Sequence, residues 1–474
     1  MKNLNLTNIA LEQGFEVNEN PPKNERVLQF GGGNFLRGFV DFFIDEANES
    51  GLFDGSICIV ESLKSTNFIN EQEGLYTVLL RGIESGNKSV RTRVITSVSR
   101  SVKPRYNYKT YLGACRNRHL RFVVSNTTEA GIVYEPSCKL NDKPPASFPA
   151  KITQLLHERY QFFRGDKSKG LIFIPCELID NNGDTLLEIV LKHAEDWKLN
   201  FDFIAWIKEN NYFANTLVDR IVSGYPEDAN ELLPYEDKLL VTAEPFGFFA
   251  IEGHPIIKEE FPLDKLSNKI IFTDDVTPYK ERKVRILNGG HTMSSLAALL
   301  GGKKTVGDIM GDELFTKFLH VGIYEEIIPT LNLPKEELFS FAKSVFERFE
   351  NPFIKHNLTS IALNSVSKFK ARLIPSILDY YPRGMPKALM LSFAALIVFY
   401  KGDLYEPNDD SSVINFFSEL WKDNDYRKIA EETCKNKDFW GVDLSLLDGF
   451  VEKTEENIKG IIENTIISEV EKIL

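Results

Sequence analysis

The chain has 474 residues, 43% hydrophobic and 26% charged, with a formal net charge of -12. This is an ordinary globular composition, long enough for two or three domains. The acidic balance argues against a nucleic-acid binder, which needs a basic footprint, so an anionic ligand would have to be held by a local cation cluster against the global field. Met1 to Ala10 lack an apolar core of signal-peptide length. The longest apolar run, Ala388 to Tyr400 interrupted only by Ser392, is too short to span a bilayer and reads as a buried helix. The five cysteines, at 58, 115, 138, 176 and 434, are widely spaced and lack a C-x-x-C pair, which favours neither a disulfide framework nor a zinc site. A cytoplasmic protein without a membrane partner or a metal is expected.

In chain order, Arg26 to Phe30 is β-prone and ends in Gly31-Gly32-Gly33. Phe35 to Asn48 has helical apolar spacing, and Ser56 to Val60 reads as a second buried strand. Tyr76 to Leu80 and Val90 to Val98 flank a Ser-Gly-Asn turn and predict an antiparallel pair. Arg121 to Ser125 and Leu171 to Pro175 are further short strands. Alternating strand and helix signals over roughly the first 200 residues predict an α/β, Rossmann-like doubly wound sheet. Beyond about residue 275 the periodicity is helical, at Leu338 to Phe349, Lys387 to Tyr400, and a single stripe from Ile458 to Ile473. The expected division is a nucleotide-binding domain over 1–272 and a mainly α-helical domain over 273–474.

A dinucleotide loop needs a strand, a tight glycine turn and a helix whose first amides face a pyrophosphate. Gln29 to Gly38 supplies these parts, with Gly31, Gly32, Gly33, Asn34, Phe35, Arg37 and Gly38 as candidate cofactor contacts. Arg37 opposes the helix dipole, a placement easier to understand if it meets an anion. Glu61, at the end of the second strand, is placed to accept hydrogen bonds from adenosine ribose hydroxyls. It favours NAD over NADP, with Lys64 close by. The competing readings are an ordinary glycine turn and a solvated surface glutamate.

Lys283-Val-Arg-Ile-Leu-Asn-Gly-Gly-His291 is the most informative stretch. At roughly 100° per residue, Lys283, His291 and Asn288 fall near about 0°, 80° and 140°, one shared helical arc. Gly289 and Gly290, adjacent in a helix interior, cost roughly 1 kcal/mol each relative to alanine. Close approach of a ligand to a bared helix surface would explain them. Ketone reduction needs a hydride and a proton for the developing alkoxide. A desolvated lysine can exchange that proton, and amide and imidazole donors can hold the oxygen. The alternative is a solvated lysine, a capping asparagine and a core histidine.

With these residues in hand, the chain resembles the mannitol dehydrogenase family, the polyol-specific long-chain dehydrogenase/reductases. The family's K-x4-N-x2-H pattern matches Lys283, Asn288 and His291, and its G-x-G-x-F-x-R-G loop matches Gly31, Gly33, Phe35, Arg37 and Gly38. Gly74 to Thr77 and Asn215 to Ile221 are also similar. The resemblance implies an NAD-dependent, metal-independent oxidoreductase with its active site between a Rossmann-like domain and a helical domain. In it Lys283 is the general acid/base, Asn288 and His291 hold substrate oxygens, and Asp219 meets a hydroxyl. Ser125 to Gly131, Pro175 to Gly183 and Asn288 to Thr292 are most similar to the tagaturonate reductase (altronate dehydrogenase) branch, which interconverts D-tagaturonate and D-altronate with NADH in hexuronate catabolism. Asn126 and Thr127 would then line the nicotinamide side.

Three positions depart from the polyol enzymes: Leu178 replaces an asparagine donor, Lys280 a glutamate and Ser360 an arginine. They point away from a neutral polyol. Ser367 to Leu373 instead packs three cations into five residues, and Lys368 and Arg372, helix neighbours at i, i+4, are candidates to grip a uronate carboxylate. Lys370 would point elsewhere, and a solvated basic face is the alternative. A sugar-acid substrate and a monomer or homodimer are expected. Competing functions are a fructuronate reductase, a mannitol or other polyol 2-dehydrogenase, or, outside enzymes, an NAD-binding scaffold or redox sensor.

Overall fold

A computed structural model describes residues 4–61, 66–127 and 130–474. Its chain divides into two compact units, 1–276 and 277–474. The division falls four residues beyond the expected boundary. The last strand of the first unit, Ile270–Thr273, carries the chain on until the Val276 amide donates to Glu252 Oε2 at 2.8 Å.

The first unit is built on a six-stranded parallel sheet: β1 (Glu25–Phe30), β2 (Ser56–Val60), β3 (Val98–Val102), β4 (Phe122–Ser125), β5 (Ile172–Pro175) and β6 (Tyr212–Phe213). Their spatial order is 3-2-1-4-5-6, that of dinucleotide-binding folds, with the order reversing between β1 and β4. Side chains alternate faces. Val27, Ile57, Ile59, Phe122, Val124, Ile172 and Ile174 pack on one core with Phe39, Phe42 and Phe43. Leu28, Phe30, Cys58, Val60, Val123 and Phe173 pack on the other, against Ile152, Leu155, Leu156 and Val190. Both faces are covered, as the doubly wound reading requires.

Two local expectations are corrected. The strand expected over Val90 to Val98 is two strands. Asn87–Ile95 pairs antiparallel with Tyr76–Glu84, and β3 begins at Val98. Asp45 Oδ2 accepts from the Thr96 and Ser97 amides at 2.7 and 2.8 Å, turning the chain from one sheet into the other. The helix expected over Phe35 to Asn48 breaks at Phe39, between Asn34–Gly38 and Val40–Glu49. There the buried Arg220 guanidinium donates to the Gly38 carbonyl at 2.8 Å, and a Cβ at Gly38 would lie 3.0 Å from Val241.

The second unit is helical, and among its described residues the only β pairing is the bridge between Thr305 and Asn357. Helix Lys387–Phe399 is buried all round, from Ala388 to Phe399. Its one polar interruption, Ser392, donates to the Met293 carbonyl at 2.9 Å. The C-terminal stripe is two helices, Phe450–Glu463 and Ile466–Ile473, because Thr465 caps the second by accepting from the Ser468 amide. No described helix is long and apolar enough to cross a membrane. All five cysteines are free and buried.

Glu326 holds the start of the central helix, accepting from the Ala388 and Leu389 amides at 2.9 Å each. Burial nevertheless raises its carboxyl from 4.5 to about 7. The folded state therefore keeps a proton that the unfolded chain loses. The associated stability is fully present below pH 4.5 and declines as pH rises to about 7. In urea titrations across that range, Glu326→Gln should flatten the decline by up to roughly 3 kcal/mol. An unchanged slope would show that this carboxyl does not govern it.

Candidate functional site

The glycine loop leaves β1 where the strand order reverses. Gly31 has φ +118°, and a Cβ there would lie 3.0 Å from the Asn126 carbonyl oxygen. Loop and β4 end can therefore approach only because glycine is present. The Gly31 amide donates to Val60, and the Asn126 amide donates to Phe30, at 3.2 Å each. Gly33 and Asn34 are exposed, and a Cβ at Gly33 would meet nothing within 4 Å. This is the open approach that a pyrophosphate requires.

Glu61 is only 8% exposed, so it is not a solvated surface glutamate. Its Oε2 is shut off from solvent without a hydrogen-bond partner, 3.9 Å from Lys103 Nζ. Glu61 and Gly32 line one cavity of about 480 Å³ with Asn34, Phe68 and Lys238. A buried acceptor beside a glycine turn suits the hydroxyls of a nucleotide ribose. Lys64, the residue expected to bear on NAD or NADP choice, lies outside the described residues.

Arg37 lines the same cavity, and oxygens of the chain itself already accept from its guanidinium. The buried guanidinium donates to Gly32 O, Leu239 O and Asn34 Oδ1, and lies 5.3 Å from the Tyr76 ring. Phe35 stacks on Phe39 at 5.1 Å, with its ring packed against the core.

Thr127 is held by a carboxylate that no sequence motif marks. Glu177, buried two residues past β5, accepts from the Thr127 amide at 2.9 Å, Thr127 Oγ1 at 2.8 Å and Ser125 Oγ at 3.0 Å. Burial raises its pKa, and these donors oppose the shift. Asn126 Nδ2 donates to the Cys176 carbonyl at 2.7 Å. Thr128 and Glu129, part of the family-like segment, lie outside the described residues. Asp219 is buried at the end of strand Asn215–Asp219, in register with Phe248.

In the second unit the Lys283 segment is not an α-helix throughout. Thr277–Arg282 is α-helical, Lys283–Asn288 is a π-helical turn, and Gly289–Leu300 is α-helical again. The arc expected from uniform α spacing is thus corrected. In a π ladder, residue i lies one turn from i+5, which puts Lys283 and Asn288 on the same side. His291 follows at i+3 in the resumed α-helix. Arg282 lies 4.4 Å over Phe341 and pairs with Glu337, while Arg285 pairs with Asp379 at 2.6 Å.

The adjacent glycines face protein, not ligand, which corrects the second expectation for this helix. A Cβ at Gly289 would lie 3.2 Å from Leu373, and one at Gly290 would lie 3.1 Å from Ile323. Conversely, a Cβ at Gly322 would lie 2.1 Å from Met293 Sδ. The glycines let two helices interlock at close range.

His291 lies 4.1 Å from the Phe349 ring and 4.8 Å from His356, with Nδ1 shut off and unpartnered. Burial pushes its pKa well down, with the positive fields of His356, Arg348 and Arg372 acting the same way, so the ring is neutral. His356, which occupies no recognisable constellation in the sequence, is therefore its immediate neighbour.

Lys368 and Arg372 do share the helix Ser365–Arg372. Arg372 Nη1 donates to Thr292 Oγ1 at 2.9 Å and reaches the Asn288 carbonyl at 3.5 Å. Lys368 donates to the Ile361 carbonyl at 2.9 Å, and burial followed by the Arg372 charge lowers its pKa. Lys370 points away, to the Asp438 carbonyl at 3.0 Å. Arg372 thus lies against Asn288 and within electrostatic reach of His291 and Lys368.

Comparison with known proteins places this geometry. Residues 25–265 match the mannitol dehydrogenase Rossmann domain, and residues 275–462 match the mannitol dehydrogenase C-terminal domain. The chain is 43% identical over 458 residues to an altronate oxidoreductase of Escherichia coli O7:K1, covering 93% of this chain and 95% of that protein. It is 43% identical over 470 residues to one of Pectobacterium carotovorum, covering 94% and 96%. Among solved structures, mannitol 2-dehydrogenase of Pseudomonas fluorescens, in ternary complex with NAD and D-mannitol, is 22% identical with TM-score 0.71, covering 100% of this chain and 99% of that one. A D-sorbitol dehydrogenase is 21% identical with TM-score 0.83, covering 98% and 99%. At these identities the two structures speak for the fold alone. The chain belongs to the mannitol dehydrogenase family of oxidoreductases.

Proposed function

We propose that the protein is an NAD-dependent dehydrogenase that reversibly reduces D-tagaturonate to D-altronate in hexuronate catabolism. The observation that carries the reading is Arg372 seated against the Asn288 carbonyl and Thr292, with Lys368 one helical turn behind. A guanidinium set against this helix with an ammonium one turn behind suits a substrate with a carboxylate. The 43% identity to altronate oxidoreductases supports the same substrate class.

The nucleotide fits the first unit through the open face at Gly33, the close approach of Gly31 to Asn126 and the orphaned carboxylate oxygen of Glu61. A carboxylate there accepts ribose hydroxyls and repels a 2'-phosphate, which favours NAD. The hydride for the ketone carbon would come from the reduced cofactor when bound. The carbonyl electron pair moves to oxygen, and the Lys283 ammonium gives that oxygen its proton. The Asn288 amide and the neutral His291 ring hold substrate oxygens without adding charge. Asp219 accepts from a substrate hydroxyl, and Lys368 and Arg372 fix the carboxylate.

Two measurements test this. With NADH, tagaturonate should give the highest kcat/KM in a panel with fructuronate and fructose, while NADPH should support far slower turnover. Preference for fructose would refute the sugar-acid reading. Arg372→Ala should raise KM for the uronate by about tenfold or more, the scale of one charge-assisted contact, well beyond the loss it causes with fructose by weakening the Asn288 turn. Equal effects on both substrates would remove Arg372 from carboxylate recognition.

A further inference from the structure

We propose that a cavity at the N-terminal edge of the parallel sheet binds a small polyanion, a molecule with two or more phosphate or carboxylate groups. The cavity, of about 460 Å³, is lined by residues at or just before the starts of β1, β4 and β6: Arg26, Arg118, Arg121 and Tyr212, with Lys167 on its rim. The glycine loop leaves the opposite end of the same strands, so this site is separate from the nucleotide's. It stands independently of the substrate reading above.

Charge is the first argument. Arg121 is neutralised by Glu260 through two parallel bonds of 2.8 and 2.7 Å. Arg26, Arg118 and Lys167 have no carboxylate or carbonyl partner among the described residues. Arg26 lies 5.0 Å over Phe53 and 5.7 Å over Phe122, which fixes the guanidinium by its face and leaves its N–H edge unbound. Against these three cations the lining has one unpaired carboxylate, Glu209. In a chain of formal net charge -12, such a local excess of positive charge is what a bound anion requires.

Rigidity is the second. Behind the cavity the fully buried Arg159 donates to the carbonyls of Cys115, Asn117, Leu120 and Lys169, at 2.7 to 3.0 Å. One guanidinium thus ties together the two loops that carry Arg118 and Lys167. Arg121 Nη1 binds the Gly170 carbonyl at 2.6 Å, and a Cβ at Gly170 would lie 1.6 Å from the Asn210 carbonyl oxygen. The backbone that carries these cations is thus fixed before a ligand arrives.

The test is calorimetric titration of inorganic pyrophosphate, and separately of citrate, into the NADH-saturated protein at constant ionic strength. Saturation keeps the nucleotide's pyrophosphate site filled. At least one probe should bind with 1:1 stoichiometry, and the pair distinguishes a phosphate ligand from a polycarboxylate. Arg118→Gln/Lys167→Gln should weaken that binding by about tenfold or more and keep wild-type NADH turnover and unfolding temperature. If neither probe binds the wild type, or if the folded double variant binds as tightly, the proposal is overturned.

Discussion

The candidate chemistry of the second unit depends on a π-helical turn. Five residues separate Lys283 from Asn288, a spacing that an α-helix would splay and an i→i+5 ladder brings into line. Such turns are rare and need support from their surroundings. Here Arg282 over Phe341, Arg285 with Asp379, and the buried Ile286 and Leu287 hold it. At its end, Arg372 and Thr292 both donate to the Asn288 carbonyl. Arg372 therefore both supports the turn and supplies a charge beside it.

The first unit solves a different problem, making room for a nucleotide at a crowded sheet edge. Three glycines divide that work. Gly31 lets β1 and the β4 end close up, Gly32 fits beside Glu61, and Gly33 leaves open space. Carboxylates organise what lies around them. Glu177 gathers the Ser125 to Thr127 donors, and Asp45 turns the chain between sheets. Hydroxyls and amides satisfy Glu177, and the buried Arg93 guanidinium joins them at Asp45, which gives the loops one defined arrangement.

Much of this was legible in the sequence because it rests on local periodicity. Short β-prone apolar runs marked four of the six parallel strands, the glycine cluster marked the nucleotide loop, and the lysine-asparagine-histidine spacing marked the second unit's candidate site. What escaped depends on contacts remote in sequence. β3 was merged with the preceding strand because Asp45, some fifty residues earlier, makes the turn. The π turn could not be read from spacing, since a single turn of six residues is too short to change the apolar period of the surrounding helix. Gly289 and Gly290 suggested a ligand, but Leu373 and Ile323 occupy the space. That Arg37 would also brace the loop through the Leu239 carbonyl, two hundred residues away, had no local signal. His356 was invisible beside His291 because nothing local in the chain relates them.

The claim that everything functional rests on is that the amine at position 283 delivers the proton to the substrate oxygen. Chemical rescue tests it most directly: tagaturonate reduction by Lys283→Ala, followed with and without added primary amines. The account predicts a folded variant with activity reduced by orders of magnitude, restored in proportion to amine concentration and increasingly by amines small enough to fill the vacated space. Near wild-type turnover in the unsupplemented variant, with the fold intact, would contradict it.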